Sequence, residues 1–232
     1  MRRSVELEMM DLPGQPRELL IDDLRNLRMI NRYLGCYRNV LLGLAGALHG
    51  RSTREFTLLD VGTGSADIPA LIVGWARRRN LAARISCLER EAIMVEQAAA
   101  QTRDFGEITI VRGDATKPPF GAASFDFVLA SQLLHHFPTG QIVTLLRTWA
   151  ALARGAIIVS DLVRHPLAYH GIRLLTNGFT RNPMTRFDAP LSVRRSFTIA
   201  EWRDVLRQAD VGRFHLERAL PFRMRALIWP NS

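Results

Sequence analysis

Lysine is almost missing from this chain of 232 residues. Lys117 is the only one, so nearly all of the 31 basic side chains are arginine. With 22 acidic residues the net charge is +9, a balance that invites an acidic partner such as nucleic acid. The arginines are scattered, however. Arg77-Arg78-Arg79, Arg194-Arg195, Arg223 and Arg225 are their densest places, and a compositional bias of the kind a GC-rich genome imposes gives the same count. Arg77 to Arg79 also fall at the predicted end of a helix, where cations are favourable. A nucleic-acid partner is therefore not expected, while an anionic or phenolate ligand stays compatible with the charge. Cysteine is equally sparse: Cys36 and Cys87 stand far apart without CxxC spacing, which excludes a disulfide framework or a cysteine zinc site. Long apolar runs are missing too. The stretch from Val40 to Leu48 is too short to span a bilayer. Met1-Arg2-Arg3 is followed by Glu6, Glu8 and Asp11 instead of a signal-peptide core, so a cytoplasmic location is expected. There is no internal repeat, and the length suits one domain with one sizeable core.

What is present is an alternation of strands and helices. Leu20, Leu24, Leu27, Ile30 and Leu34 recur at helical spacing, Gly35 interrupts, and Tyr37 to Leu48 resumes, so residues 17–49 read as two helices. Predicted strands follow at Phe56–Asp60, Arg84–Glu89, Ile108–Arg112, Phe125–Ala130 and Ala156–Ser160. Helical stripes lie between them, such as Ile68, Leu71, Ile72 and Trp75. That order predicts an α/β fold, a doubly wound and mostly parallel sheet with helices on both faces. Residues 162–196 break the pattern with His165, His170 and several arginines, and read as a helical or looped lid. Thr198-Ile199-Ala200-Glu201 is a capping box opening one more helix that ends near Asp210. Phe214–Leu220 and Phe222–Trp229 predict a closing antiparallel hairpin. One domain is expected: a cover at 1–49, a core at 50–161, the lid at 162–196 and the closing elements at 197–232.

The sharpest local signal is Asp60-Val61-Gly62-Thr63-Gly64, a glycine turn between the first strand and a helix. A dinucleotide pyrophosphate would sit at that helix N-terminus, where bare amides favour anions. Asp60 and Asp67 bracket the turn instead, and Asp67 occupies the third-glycine place of a dinucleotide fingerprint. Two carboxylates repel a pyrophosphate and suit a cationic cofactor, such as the ammonium and sulfonium of S-adenosylmethionine. Three further elements stand at later strand ends, where open parallel sheets bind ligands. Glu89 ends the second strand and can accept from ribose hydroxyls, with Arg90 beside it. Gly113-Asp114-Ala115 follows the third, with Asp114 placed to accept from an adenine amino group and the Ala115 amide to donate. Ser131-Gln132 follows the fourth, near the methionine portion. The predicted cofactor set is therefore Asp60, Gly62, Thr63, Gly64, Glu89, Arg90, Asp114, Ala115 and Ser131.

Residues 56–161 resemble a class I S-adenosylmethionine-dependent methyltransferase. The resemblance rests on Leu58-Leu59-Asp60-Val61-Gly62-Thr63-Gly64, on Arg112-Gly113-Asp114-Ala115 and on Phe125-Asp126-Phe127-Val128-Leu129-Ala130-Ser131. Leu133-Leu134-His135-His136-Phe137, Asn31-Arg32-Tyr33-Leu34-Gly35 and Leu191 to Thr198 are similar to the small-molecule branch that includes ubiquinone/menaquinone-type enzymes. Ala66 departs from the pattern, since many such turns carry a third glycine there, and only a local change in the turn is expected.

The resemblance implies in-line methyl transfer from S-adenosyl-L-methionine, which needs proximity and alignment above all. The expected partner is a small aromatic or lipidic acceptor of secondary metabolism, methylated on a phenolic, polyketide or quinol-like oxygen. C-methylation of a quinone precursor, methylation of RNA or protein, and a non-catalytic cofactor-binding module are the alternatives. The sequence Ser131-Gln132-Leu133-Leu134 stands where an amino-group target would call for an Asn-Pro-Pro-Tyr-like motif. A phenol benefits from a base, and His135 and His136 are the catalytic candidates, ahead of His165 and His170. Of two adjacent histidines, one is expected to point away from the other. Asp161 can face the acceptor or cap a turn. Arg38, Arg194 and Arg195 either hold an anion or pack at the surface. No metal site is expected, because Asp161 has no Asp-Asn partner pair.

Overall fold

The computed structural model describes residues 1–52 and 54–231. The first three strands and their helices alternate along the chain. β1 (Glu55–Val61) leads to α3 (Asp67–Arg77), β2 (Ala82–Glu89) to α4 (Ala92–Gln101), and β3 (Ile108–Arg112) by a loop to β4 (Phe125–Ser131). Then come α5 (Thr139–Leu152), β5 (Ala153–Leu162), α6 (Pro166–Phe179), α7 (Pro183–Arg195), α8 (Ile199–Ala209), β6 (Gly212–Ala219) and β7 (Arg223–Pro230). Two helices, α1 (Arg17–Tyr33) and α2 (Cys36–Leu48), precede them. The strands form one sheet in the order β3-β2-β1-β4-β5-β7-β6. β1 to β5 run parallel, and β7 is antiparallel to both of its neighbours. This is the doubly wound, mostly parallel sheet with a closing hairpin that the alternation predicts.

Burial explains the strands. Every residue of β4, Phe-Asp-Phe-Val-Leu-Ala-Ser, is buried, as a central strand covered on both faces requires. Leu59, Val61 and Val128 pack with Trp149 of α5 and Trp202 of α8 on one face. Leu58, Phe56 and Phe127 pack with Val40 and Leu44 of α2 and Ile72 of α3 on the other. Each such side chain contributes about 1.5–3 kcal/mol on leaving water. β5 runs longer than its predicted Ala156–Ser160 because it is shared. Ala153 pairs with Phe125 of β4, and Leu162 with Arg223 of β7. The capping box of α8 forms as expected, and Asp210 ends that helix at φ 49°.

Two helices and a strap cover the carboxyl edge of the sheet. Residues 162–196 hold α6 and α7, with Pro at the first turn of each. Asn182 caps α7 by accepting from Met184 N at 2.9 Å and Thr185 N at 3.2 Å. Its amide donates to Asp22 at 2.8 Å and so ties α7 to α1. Ahead of α1 the chain makes a 3-10 turn at Met9–Asp11 and a second turn at Pro13-Gly14, where Gly14 has φ 79°. This strap is fastened to α7. Ser4 N donates to Arg194 O at 3.0 Å, and Met9 N and Met10 N donate to the Asp188 carboxylate at 2.7 and 3.0 Å. Among the described residues no helix is long and apolar enough to cross a membrane.

Candidate active site

The glycine turn leaves β1 at the centre of the sheet. Gly62 N and Thr63 N both donate to Leu88 O of β2, at 2.8 and 3.2 Å, which bends the chain out of the strand. Gly62, Gly64 and Ala66 all have positive φ, at 68°, 56° and 57°. Glycine meets that demand freely, and Ala66 meets it fully buried at the start of α3. A Cβ on Gly64 would touch nothing within 4 Å, so its backbone is open to a ligand. Asp60 is buried and accepts from Thr63 Oγ1 at 2.6 Å. Burial pushes its carboxyl up to about 7, against the Thr63 hydrogen bond and with help from Asp67 and Glu89. Tyr37 donates to Asp67 at 2.8 Å.

Glu89 braces this turn from the end of β2. Its carboxylate accepts from Gly64 N at 2.9 Å, Arg90 N at 2.7 Å and Glu91 N at 3.0 Å. Burial raises its pKa and these three amides oppose the rise. Gly113 N bonds Glu89 O at 2.9 Å, which brings the loop after β3 alongside. Asp114 in that loop is exposed and accepts from Thr116 N at 2.7 Å. Ala115 O accepts from the buried Trp149 indole at 3.0 Å. The sheet thus aligns all the predicted cofactor residues along the carboxyl ends of β1 to β4.

A cavity of about 480 Å³ opens beside the turn. Asp60, Gly62, Thr63, Gly64 and Ser131 line it, whereas Glu89, Arg90, Asp114 and Ala115 lie outside its wall. Apolar side chains from the cover form the opposite wall, among them Leu24, Leu27, Leu167, Ile172 and Leu175. Leu174, Phe179 and Phe187 of the lid lie outside that wall and stand exposed, while Leu167 and Leu175 on it are themselves partly open, at 67% and 42%. Gln132 lines the floor in a network with Asn31 and the buried Arg223, whose Nη1 donates to Gln132 Oε1 at 3.0 Å.

At the far end of this cavity stand His135 and His136, in a 3-10 turn after β4. They do not point apart as expected: their ring centroids are 4.4 Å from one another. A carboxylate partner holds each ring. His135 Nδ1 lies 2.7 Å from Asp161 Oδ1, and His136 Nδ1 lies 2.9 Å from Asp11 Oδ2. His135 N also donates to Asp161 Oδ2 at 3.2 Å. Asp161 is buried at the end of β5. Burial raises the Asp161 carboxyl, but the attraction and hydrogen bond of His135 and the Leu162 amide outweigh it and leave its pKa below the usual value.

Facing both rings is Glu8 of the strap, a residue that sequence reasoning missed. It is only 2% exposed, while its neighbours Val5 and Leu7 are 92% and 54% exposed. The usual pattern is inverted here, so hydropathy carries no signal for it. Burial pushes Glu8 up to about 7, against nearby His136 and Arg195. Arg195 is buried and committed, with Nη1 to Asp11 at 3.1 Å and Nη2 to His136 O at 2.7 Å. Arg38 is exposed. His165 caps α6 and stacks on Phe222, His170 is exposed, and neither lines the cavity.

A buried carboxylate beside open glycine backbone fits a ligand that brings a positive group and opposes a pyrophosphate. The amino-acid and sulfonium end of S-adenosylmethionine has that chemistry. The comparisons with known proteins agree. Residues 58–155 match the family described as Methyltransferase domain. No curated protein sequence matches the chain. Among solved structures, human N-acetylserotonin methyltransferase in complex with SAM superposes with a TM-score of 0.69 at 16% identity. That match covers 100% of this chain and 63% of the human one, so the chain spans less than two thirds of that relative's length. A SAM-dependent methyltransferase from Aquifex aeolicus gives 0.63 at 14% identity, over 90% of this chain and 98% of that one. The plantazolicin methyltransferase BamL, with a triazolic desmethylPZN analogue and SAH, gives 0.64 at 12%, over 93% and 98%. Residues 58–155 thus carry a methyltransferase-domain pattern, and the chain as a whole shares the fold of these S-adenosylmethionine-dependent methyltransferases.

Proposed function

We propose that the protein methylates an oxygen of a small, largely apolar acceptor, phenolic or quinol-like. The observation that carries this reading is the position of His135 on the cavity wall, with Nδ1 held 2.7 Å from Asp161. An Nδ1–H donated to that carboxylate fixes the tautomer and leaves Nε2 as a base. S-adenosylmethionine, when bound, supplies a methyl already activated on its sulfonium. Asp60 would hold the ammonium end of that cofactor, directly or through water, and the Gly62–Ser65 backbone and Ser131 would flank it. Glu89, Arg90, Asp114 and Ala115 would hold the adenosine. The chain's remaining work is to seat the acceptor against Ile172, Leu167 and Leu175, exclude water beneath the strap, and take the hydroxyl proton at His135 Nε2. Cavity size supports a small acceptor, since about 480 Å³ is in the range of small-molecule sites.

Labelled cofactor offered to phenols, quinols and RNA tests this directly. The expected product carries its label on oxygen of a phenol or quinol. His135→Ala should lower transfer by about 10²–10⁴-fold with S-adenosylhomocysteine affinity retained. Label on carbon, or on RNA alone, would overturn the acceptor assignment. Full transfer by the variant would remove His135 from its role.

A further inference from the structure

Three groups meet at the end of the cavity without hydrogen-bonding to one another. His135 Nε2 stands 3.7 Å from Glu8 Oε1, and His136 Nε2 stands 3.9 Å from Glu8 Oε2. One ligand atom from each of the three residues lies within 4.8 Å of the other two. Those separations exceed hydrogen-bond length. They are close to the edges of a coordination shell, which are roughly 3.3 Å for metal–ligand bonds of about 2.0–2.1 Å in a tetrahedron.

We propose that Glu8, His135 and His136 form a binding site for a divalent transition ion of the zinc class. The ligand types are suitable, since two imidazoles and one carboxylate favour ions of borderline softness. The orientation is suitable as well. Each histidine gives its Nδ1 to a carboxylate, Asp161 for His135 and Asp11 for His136. That partner sets the tautomer so that both Nε2 lone pairs face Glu8, the arrangement found behind metal-bound histidines. Glu8 Oε1 is buried and has no hydrogen-bond partner among the described residues. The nearest cation to it, the Arg195 Nε at 3.8 Å, already spends its other nitrogens on Asp11 and the His136 carbonyl. Around the site four carboxylates (Glu8, Asp11, Asp161, Asp188) stand against two guanidinium groups, Arg3 and Arg195. The formal balance of 2 − 4 = −2 matches a divalent ion. Three protein ligands leave at least one coordination position on the cavity side. This ion and the proton of the proposed base would compete for the same His135 lone pair, so the metal-loaded and base-competent forms exclude one another. The sequence gives no hint of such a set, because one ligand comes from residue 8 and two from residues 135 and 136.

Calorimetric titration of the full chain, free of added histidines, with Zn²⁺ tests the site, together with visible absorption on adding Co²⁺. The wild type should bind one equivalent, and Co²⁺ should show ligand-field bands. His136→Ala and Glu8→Gln, the second nearly isosteric, should each weaken Zn²⁺ at least tenfold and remove the bands, with unchanged circular dichroism. Absence of binding by the wild type, or equal binding in either folded variant, overturns the site. So does a near-ultraviolet thiolate band, which would assign the ion to Cys36 or Cys87. S-adenosylhomocysteine affinity measured on metal-free protein is independent of all these outcomes, so failure of this site and failure of the proposed function can be told apart.

Discussion

The two ends of the cavity are built differently. At the proposed cofactor end the groups come from neighbouring strands and short loops. Gly62 and Thr63 bond Leu88 O, and Glu89 reaches back 25 residues to Gly64 N. At the proposed acceptor end the groups come from the whole chain. Glu8 and Asp11 of the strap, His135 and His136 after β4, Asp161 of β5 and Arg195 of α7 converge within a few ångströms. A parallel sheet assembles the first kind of site by its register alone. The second kind exists only when the strap, α1 and α7 are docked. The cofactor end should therefore survive perturbations that dismantle the acceptor end.

Arg195→Ala is the strongest way to break that comparison. The guanidinium is buried against Glu8 and Asp11 and holds the His136 carbonyl. Removing one partner of a buried pair leaves uncompensated charge, at about 3–5 kcal/mol. Denaturant unfolding should register that loss, and hydrogen exchange should show residues 1–12 deprotected. S-adenosylhomocysteine affinity of the folded variant should stay within about twofold of wild type. A parallel fall in cofactor affinity would mean that the two ends are one cooperative unit.

The same difference governs what can be read from the sequence. The five parallel strands, the glycine turn and the capping box at Thr198 are legible because each is encoded by residues close in sequence. Burial on both faces gives β4 its unbroken apolar run, and positive φ gives the turn its glycines. Ala66 adopts φ 57° without glycine because full burial at the head of α3 holds it there. The histidine pair was legible as chemistry but not as geometry: a 3-10 turn alone spreads neighbouring residues by about 120°, and the rings meet because Asp161 and Asp11, distant in sequence, each hold one of them. Glu8 was illegible in both respects. A buried acid directly after an exposed leucine contradicts hydropathy, and tertiary contacts with residues more than a hundred positions away account for it.

A smaller effect separates the ends by pH. Asp23 of α1 is buried against α7, where Oδ1 accepts from Thr185 Oγ1 at 2.6 Å and Oδ2 has no partner among the described residues. Burial raises its carboxyl to about 7, opposed by the Thr185 hydrogen bond. A folded pKa above the unfolded value of about 3.9 means that the folded chain holds the extra proton. This stability is complete below about pH 4 and is lost as the pH rises through 7. Between pH 4 and pH 8 the loss should be on the order of 1–3 kcal/mol. Asp23→Asn should remove its share of the slope while keeping an acceptor for Thr185, with Glu8 and Asp60 contributing the rest. Urea titrations across this range check it, and an unchanged slope in the variant would show that another group in the cover carries the dependence.

The mildest prediction concerns the cofactor end alone. Asp60 has a carboxyl raised to about 7 by burial, with Thr63 Oγ1 as its hydrogen-bond partner. An ammonium seated nearby favours the carboxylate form, so binding near neutrality should release a proton. Affinity for S-adenosylhomocysteine should then rise about tenfold from pH 6 to pH 7.5, below the range where a ligand α-amino group begins to lose its own proton. Calorimetry in two buffers of different ionisation heat measures the proton directly. Asp60→Asn should bind more weakly at pH 7.5 and show neither the slope nor the buffer dependence. Because Arg195→Ala leaves Asp60 untouched, that variant should keep both. Loss of the proton release in Arg195→Ala would join the two ends through electrostatics even where their contacts are separate.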